Sequence, residues 1–328
     1  MFKVPVSAVC PSYCNELRDV QDFVAEFGPY NGQYVAKFPQ HWISEFTKHL
    51  EQLKPVERQA AKALLDKVRL AFVETDLQYD SSKDWAANAT VNNIASKYLH
   101  LVGDGLDPTP FKSWIEVLPE IRESKVRTWR FKGSWPEYFS AIQPLLYSAP
   151  ASYLIDRYFD PLSDKSGDLI FYLLDKIKGS RCYEVHIITR PSSFDMASAG
   201  ESKLKTGGFS SSEFNNACKE LNEIYGPRIP KSRKLFFHFV KEDRPGGSYL
   251  RMHNRYFLTK HGAIDFGQGY EIQNQVIPQM DAYIIDRAHH NVLASTYIDG
   301  VCRYSEKLKQ KAGIAYPIQV QTCSIDSF

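Results

Sequence analysis

Three side chains of complementary chemistry, His253, Arg255 and Asp265, fall within the stretch MHNRYFLTKHGAIDFGQGYE. An imidazole can act as nucleophile or base, a guanidinium can balance phosphate charge, and a carboxylate can orient a ring nitrogen. In a strand-like run, His253 and Arg255 stand two residues apart and leave the same face of a sheet. Gly267 and Gly269 permit a tight turn directly after Asp265 and, with Gln268 between them, offer open backbone N–H groups to the same anion. Glu271 and Lys260 lie close enough in sequence to support such a site, and Asp156, at the exit of an earlier strand, is a further supporting carboxylate.

A bland reading stands beside this one. His253 can be a half-buried sheet histidine and Arg255 a salt-bridge neighbour of Asp265, which would make the trio a structural network. His238 alternates with apolar residues in LFFHFV and reads as a core or sheet-face histidine. His289 and His290 adjoin Asp286 and Arg287, but neighbours on a strand point to opposite sides and make a poor metal pair. Cys10 and Cys14 are spaced for a metal, yet no second close Cys or His pair follows, and buried thiols are the preferred reading. Arg157, Asp160 and Arg190 mark strand exits. The basic loop stretches around Lys203 and Lys205 and around Lys231 and Arg233 read as solvated loops unless they face the site.

The elements that must position the trio form an alternating series. SWPEYFSAIQPLL is expected as a helix, ASYLIDRYF as a strand, SGDLIFYLLDKI as a helix and YEVHIITR as a strand. SSSEFNNACKELNEIYG opens on Ser and closes on Gly, both helix end signals, and KLFFHFV follows as a strand. YLRMHNRYFLT and AIDF flank the turn KHG as a hairpin, and MDAYIID is a further strand. RAHHNVLASTYIDGV suits strand or helix equally. This order predicts an α/β fold with a mixed sheet covered by helices.

Ahead of it, Trp42, Ile43, Phe46 and Leu50, then Ala61, Leu64, Leu65, Val68 and Phe72, recur at three- and four-residue intervals and predict two amphipathic helices. DWAANATVNNIASKYL continues in helical style, and TPFKSWIEVL is a short helix broken at Pro119. Residues 1–40 read as short strands or extended chain, and RESKVRTWRFKG as a charged connector. Two domains result: a mainly helical one over 1–130 and an α/β one over 131–328.

With 40 Lys and Arg against 38 Asp and Glu in 328 residues, the net charge of +2 leaves no global field, so any contact with nucleic acid is a local patch. No segment is apolar for long enough to cross a bilayer, and the start lacks a signal-peptide pattern, so a cytoplasmic protein is expected and a membrane partner is not.

The segment around His253 resembles the phospholipase-D superfamily motif, His-x-Lys followed by a second strand with an acidic or polar residue and then a glycine. Arg255 stands in the Lys position, Asp265 in the acidic position and Gly267 in the glycine position. It is still more similar to the phospholipase-D-like domain at the carboxy terminus of proteins with a microtubule-interacting and trafficking module, through His253, Asn254, Arg255, Gly262, Ile264, Phe266, Gly267 and Gly269. The likeness spans about Ala151 to Glu271. Lys260 replaces the family's aspartate, and Gln268 and Tyr270 replace its Ser and Asn.

The resemblance implies a phosphodiesterase that needs no metal or other cofactor, working through a phosphohistidine on His253 with Arg255 as phosphate clamp. One motif per chain implies a homodimer that brings two copies of His253 together. Nucleic acid is the expected partner and a nuclease the expected activity, as in a bacterial defence or mobile-element protein. The alternative is an inactive module of the same fold that binds nucleic acid or anionic phospholipid while its amino-terminal helices hold a protein partner.

Overall fold

A computed structural model describes residues 6–94, 97–98, 100–103, 112–123, 128–131, 134–189, 211–240, 254–267, 280–302 and 320–326. The chain divides into two compact units, Met1–Thr128 and Trp129–Phe328.

The first unit alternates short strands and helices: β1 (Val6–Val9), α1 (Leu17–Glu26), β2 (Tyr34–Ala36), α2 (Trp42–Leu50), α3 (Pro55–Leu70), β3 (Phe72–Val73), α4 (Trp85–Val91), β4 (Leu101–Val102) and α5 (Trp114–Glu123). The strands form one parallel sheet in the order β3-β2-β1-β4. The expected helices α2 and α3 are present, but the region is a small α/β layer rather than helices alone. Within the stretch read as extended, α1 forms because Val20 and Phe23 recur at helical spacing and both are buried, while a Glu16–Asp19 capping box starts it. Pro119 lies inside α5 instead of ending it. There Trp114, Val117, Leu118 and Ile121 join the core with Phe23, Trp42, Phe46 and Phe72, and their burial outweighs the hydrogen bond that proline removes. The helical run after Asp84 stops at Val91.

The second unit contains β5 (Thr128–Phe131), α6 (Trp135–Ser148), β6 (Ala151–Ile155), α7 (Asp164–Lys176), β7 (Glu184–Thr189), α8 (Ser211–Tyr225), β8 (Lys234–Val240), β9 (Tyr256–Thr259), β10 (Gly262–Asp265), β11 (Met280–Ile284), α9 (Arg287–Leu293) and β12 (Val320–Asp326). They build an eight-stranded sheet in the order β12-β8-β7-β6-β9-β10-β11-β5. β6 and β8 each pair parallel with β7, while the pairs β6–β9, β9–β10, β10–β11 and β8–β12 are antiparallel. The mixed sheet flanked by helices is therefore the expected one.

Two local readings are corrected and one left open is decided. The charged connector contributes β5, an edge strand whose Arg130 pairs with Asp281 of β11 at 3.0 Å. The hairpin turn is Lys260–His261 alone, because Gly262 already pairs with Thr259. RAHHNVLASTYIDGV is helical, α9 passing into a π-helix over Ala294–Cys302. Asp286 starts it, accepting a hydrogen bond from the His289 amide at 3.0 Å.

Alternation along the strands separates two buried faces. Tyr153, Ile155, Ile188, Val240, Tyr256 and Leu258 pack beneath α9 and the π-helix, against Leu293, Tyr297, Ile298 and Val301. On the other face Phe237 meets Tyr225 of α8, Phe239 meets Phe214, and Phe266 meets Tyr138 of α6.

Candidate functional site

The parallel strands β6, β7 and β8 all end at one edge of the sheet, where open α/β sheets place their ligands. β9 starts at this edge with Tyr256 opposite Ile155, and β10 returns to it with Asp265 opposite Tyr256. The topology thus gathers Asp156, Arg255, Asp265 and Gly267. Arg255 stands one residue ahead of β9 rather than within it, although its carbonyl still accepts from the Phe266 amide at 2.8 Å.

Asp156 is buried at 4% exposure and its Oδ1 accepts the Tyr158 amide at 2.9 Å, which shapes the strand exit. The same oxygen lies 3.5 Å from Arg255 Nε. Arg255 Nη1 donates to the Gly267 carbonyl at 2.9 Å, and the guanidinium sits 5.2 Å from the Tyr158 ring centre. Among the described residues Nη2 makes no hydrogen bond, and Nε lies near Asp156 without a hydrogen bond of its own. Arg157 lies 5.0 Å from the same ring, and Tyr158 itself is 52% exposed.

Asp265 is engaged differently from its reading as the salt-bridge neighbour of Arg255. Its Oδ2 accepts from Asn254 Nδ2 at 2.8 Å and its Oδ1 from the Gly267 amide at 2.8 Å. The salt-bridge partner of Arg255 is Asp156, not Asp265. Strand alternation explains this: Asp265 shares a face with Tyr256, whereas Arg255 and Asp156 each follow the opposite parity. Gly267 takes φ +49°, the left-handed turn that its lack of a Cβ permits. Lys260 is not brought to this edge. It sits in the turn at the far end of β9, about 17 Å along the chain axis from Arg255. His253, Gln268, Gly269 and Glu271 lie outside the described residues.

A second cluster, which sequence spacing did not suggest, sits within the face beneath the π-helix. His186 of β7 and His238 of β8 approach at 2.9 Å, Nδ1 to Nε2. Their ligand atoms and the Cys302 Sγ all lie within 4.8 Å of one another. His186 is stacked between Tyr153 and Phe236, each 4.6 Å away between ring centres. His238 Nδ1 lies 2.9 Å from Thr322 Oγ1, and burial pushes its pKa down to about 4, so the ring is neutral near pH 7. The alternation of His238 with Phe237 and Phe239 does make it a sheet-face histidine, as read from LFFHFV.

Two more histidines are structural. His290 Nε2 bonds the Thr259 carbonyl at 2.8 Å, and His261 Nδ1 lies 3.4 Å from Ser148 Oγ. Burial lowers both pKa values, that of His261 to about 4, with nearby Lys260 and His290 adding to the shift. Cys10 and Cys14 are buried and not joined in a disulfide, and burial pushes the Cys14 thiol far above the usual range.

Fold and site together define a mixed α/β unit whose eight-stranded sheet carries a cation, two carboxylates and a glycine turn at the exit of its parallel strands, preceded by a helix-rich unit. Among the described residues no helix is long and apolar enough to cross a membrane. No protein-family model matches the chain, and no curated protein matches it either.

Proposed function

We propose that the second unit is a phospholipase-D-like phosphodiesterase that cleaves nucleic acid without a metal, and that its substrate phosphate sits at the edge marked by Asp156, Arg255 and Gly267. The observation that carries this reading is the guanidinium of Arg255, which stands beside the Asp156 carboxylate and donates Nη1 to the Gly267 carbonyl, with no hydrogen bond on Nη2 among the described residues. A preset cation of this kind stabilises charge that builds on phosphoryl oxygens during displacement. The half-exposed Tyr158 beside it supports nucleic acid over a lipid headgroup, since a base can stack where a headgroup has nothing to stack.

In this mechanism the imidazole nitrogen of His253 bonds to phosphorus as the P–O bond to the leaving strand breaks. The departing oxygen takes its proton from the second His253 of a homodimer. Water then attacks phosphorus, gives its proton to that second imidazole, and the P–N bond breaks. Asp265 holds the Gly267 turn and Asn254 in place.

A second reading, binding without turnover, is favoured by Lys260 and Tyr270, which stand where the resembled family has its aspartate and asparagine. Denaturing electrophoresis after mixing with end-labelled DNA or RNA separates the two. A labelled, acid-labile protein adduct that disappears in His253→Ala is expected; retention of labelled strands under native conditions with neither adduct nor product would establish the second reading.

A further inference from the structure

We propose that His186, His238 and Cys302 bind a single borderline-soft transition-metal cation, Zn2+ being the reference case, at a site separate from the strand-exit edge. Two imidazole nitrogens and a thiolate are a donor set suited to such ions, and each comes from a different element: β7, β8 and the π-helix. π-helical turns recur where a side chain must be redirected for function, and this one ends on Cys302.

The outer contact of His238 fits the same role. A ligating imidazole commonly donates its remote N–H to an oxygen that fixes the ring. His238 has Thr322 Oγ1 at 2.9 Å from its remote Nδ1, while the remote Nε2 of His186 lies 3.5 Å from Glu184 Oε2, near the carboxylate but not hydrogen-bonded to it. The inner Nδ1 of His186 and Nε2 of His238 stand 2.9 Å apart with one proton between them, the place a cation would take. Tetrahedral Zn2+ places ligand nitrogens about 3.3 Å apart and sulfur about 3.6 Å from each, so small ring rotations and an inward movement of Cys302 would complete the set. Charge also closes. A divalent ion, one thiolate and the Glu184 carboxylate sum to zero, which lowers the cost of holding the ion in a buried face. Binding releases the Cys302 thiol proton to solvent.

His186 pairs across from Tyr153, three residues before Asp156, which sets this cluster about 10 Å back along the strands from the edge. The competing arrangement is a neutral hydrogen-bonded chain from Thr322 through both imidazoles, which takes up no metal.

Titration of the metal-free full chain with Co2+ distinguishes them. One Co2+ per chain is expected, with visible bands of tetrahedral type and a sulfur-to-cobalt charge-transfer band, both displaced by Zn2+. Cys302→Ser, a near-isosteric change at a half-buried position, should abolish the charge-transfer band while the melting temperature of the metal-free protein stays close to that of the parent. Thr322→Val should weaken Zn2+ affinity about tenfold by loosening His238. Added Zn2+ should raise the melting temperature of the parent and leave that of His238→Gln unmoved. Absence of stoichiometric Co2+ uptake, or a charge-transfer band that persists in Cys302→Ser, would overturn the assignment.

Discussion

The two carboxylates at the sheet edge make opposite demands on an anion. Asp156 braces Arg255 at 3.5 Å but also sets a negative charge beside the proposed phosphate. Asp156→Asn keeps an acceptor for the Tyr158 amide and removes the charge, so oligonucleotide binding should tighten, by about threefold to tenfold for a partly screened charge. Arg255→Ala should weaken binding at least tenfold and reduce the salt slope by about one ion, as a titration of affinity against salt would show. His261 supplies a prediction in pH. The unfolded chain takes up its proton near 6.5, whereas the folded ring resists until about 4. Its contribution is therefore complete above pH 6.5 and declines as the pH falls towards 4, and urea midpoints measured across that window should fall with it, less steeply in His261→Gln. The residue types of the edge were legible in the sequence, but their pairing was not. Period-two alternation separates Arg255 from Asp265, and only the register of β9 against β6 shows that Asp156 is the partner. The His186, His238 and Cys302 cluster was illegible because its members lie far apart in sequence and meet through β7–β8 pairing and a π-helix.

At the scale of elements, the hairpin β9–β10 is the part that sets the site. Leu258 is fully buried at its centre, and Leu258→Ala should cost about 2–5 kcal/mol in chemical unfolding. Gly267 turns the chain at φ +49°, with its amide on Asp265 and its carbonyl on Arg255. Gly267→Ala should cost about 1 kcal/mol and weaken nucleic-acid binding more than a distant change of equal cost, because the brace on Arg255 shifts with it. The helices and strands of this unit were readable since apolar periodicity is strong in ASYLI, EVHIIT and KLFFHFV. β5 and α1 were not: one is a four-residue edge strand inside a charged connector, and the other is a ten-residue helix whose apolar residues are diluted by polar ones. The π-helix escapes a 3.6-residue template altogether.

For the whole molecule, the division between Thr128 and Trp129 gives each unit a core of its own. The helix-rich unit buries Trp42 among Phe23, Phe46 and Phe72, an aromatic centre of its own. A fragment that starts ahead of Thr128, so that β5 is kept, should melt cooperatively and retain oligonucleotide binding. Light scattering on the full chain tests the twofold arrangement that a two-histidine site requires; a dimer is expected, and a strict monomer at assay concentrations would remove the second His253 from the mechanism. The first unit was legible as mainly helical with short strands over 1–40, but their joining with β3 and β4 into one sheet was not, since strands of two to four residues give no usable alternation.

The most direct test is cleavage of labelled single- and double-stranded DNA and RNA in EDTA by the purified full chain and by His253→Ala, with the bound fraction recorded on the same samples. Cleavage that survives EDTA and vanishes in His253→Ala, with binding retained, is the expected result. Binding of equal strength in both proteins with no product from either would contradict a phosphodiesterase and leave a recognition module.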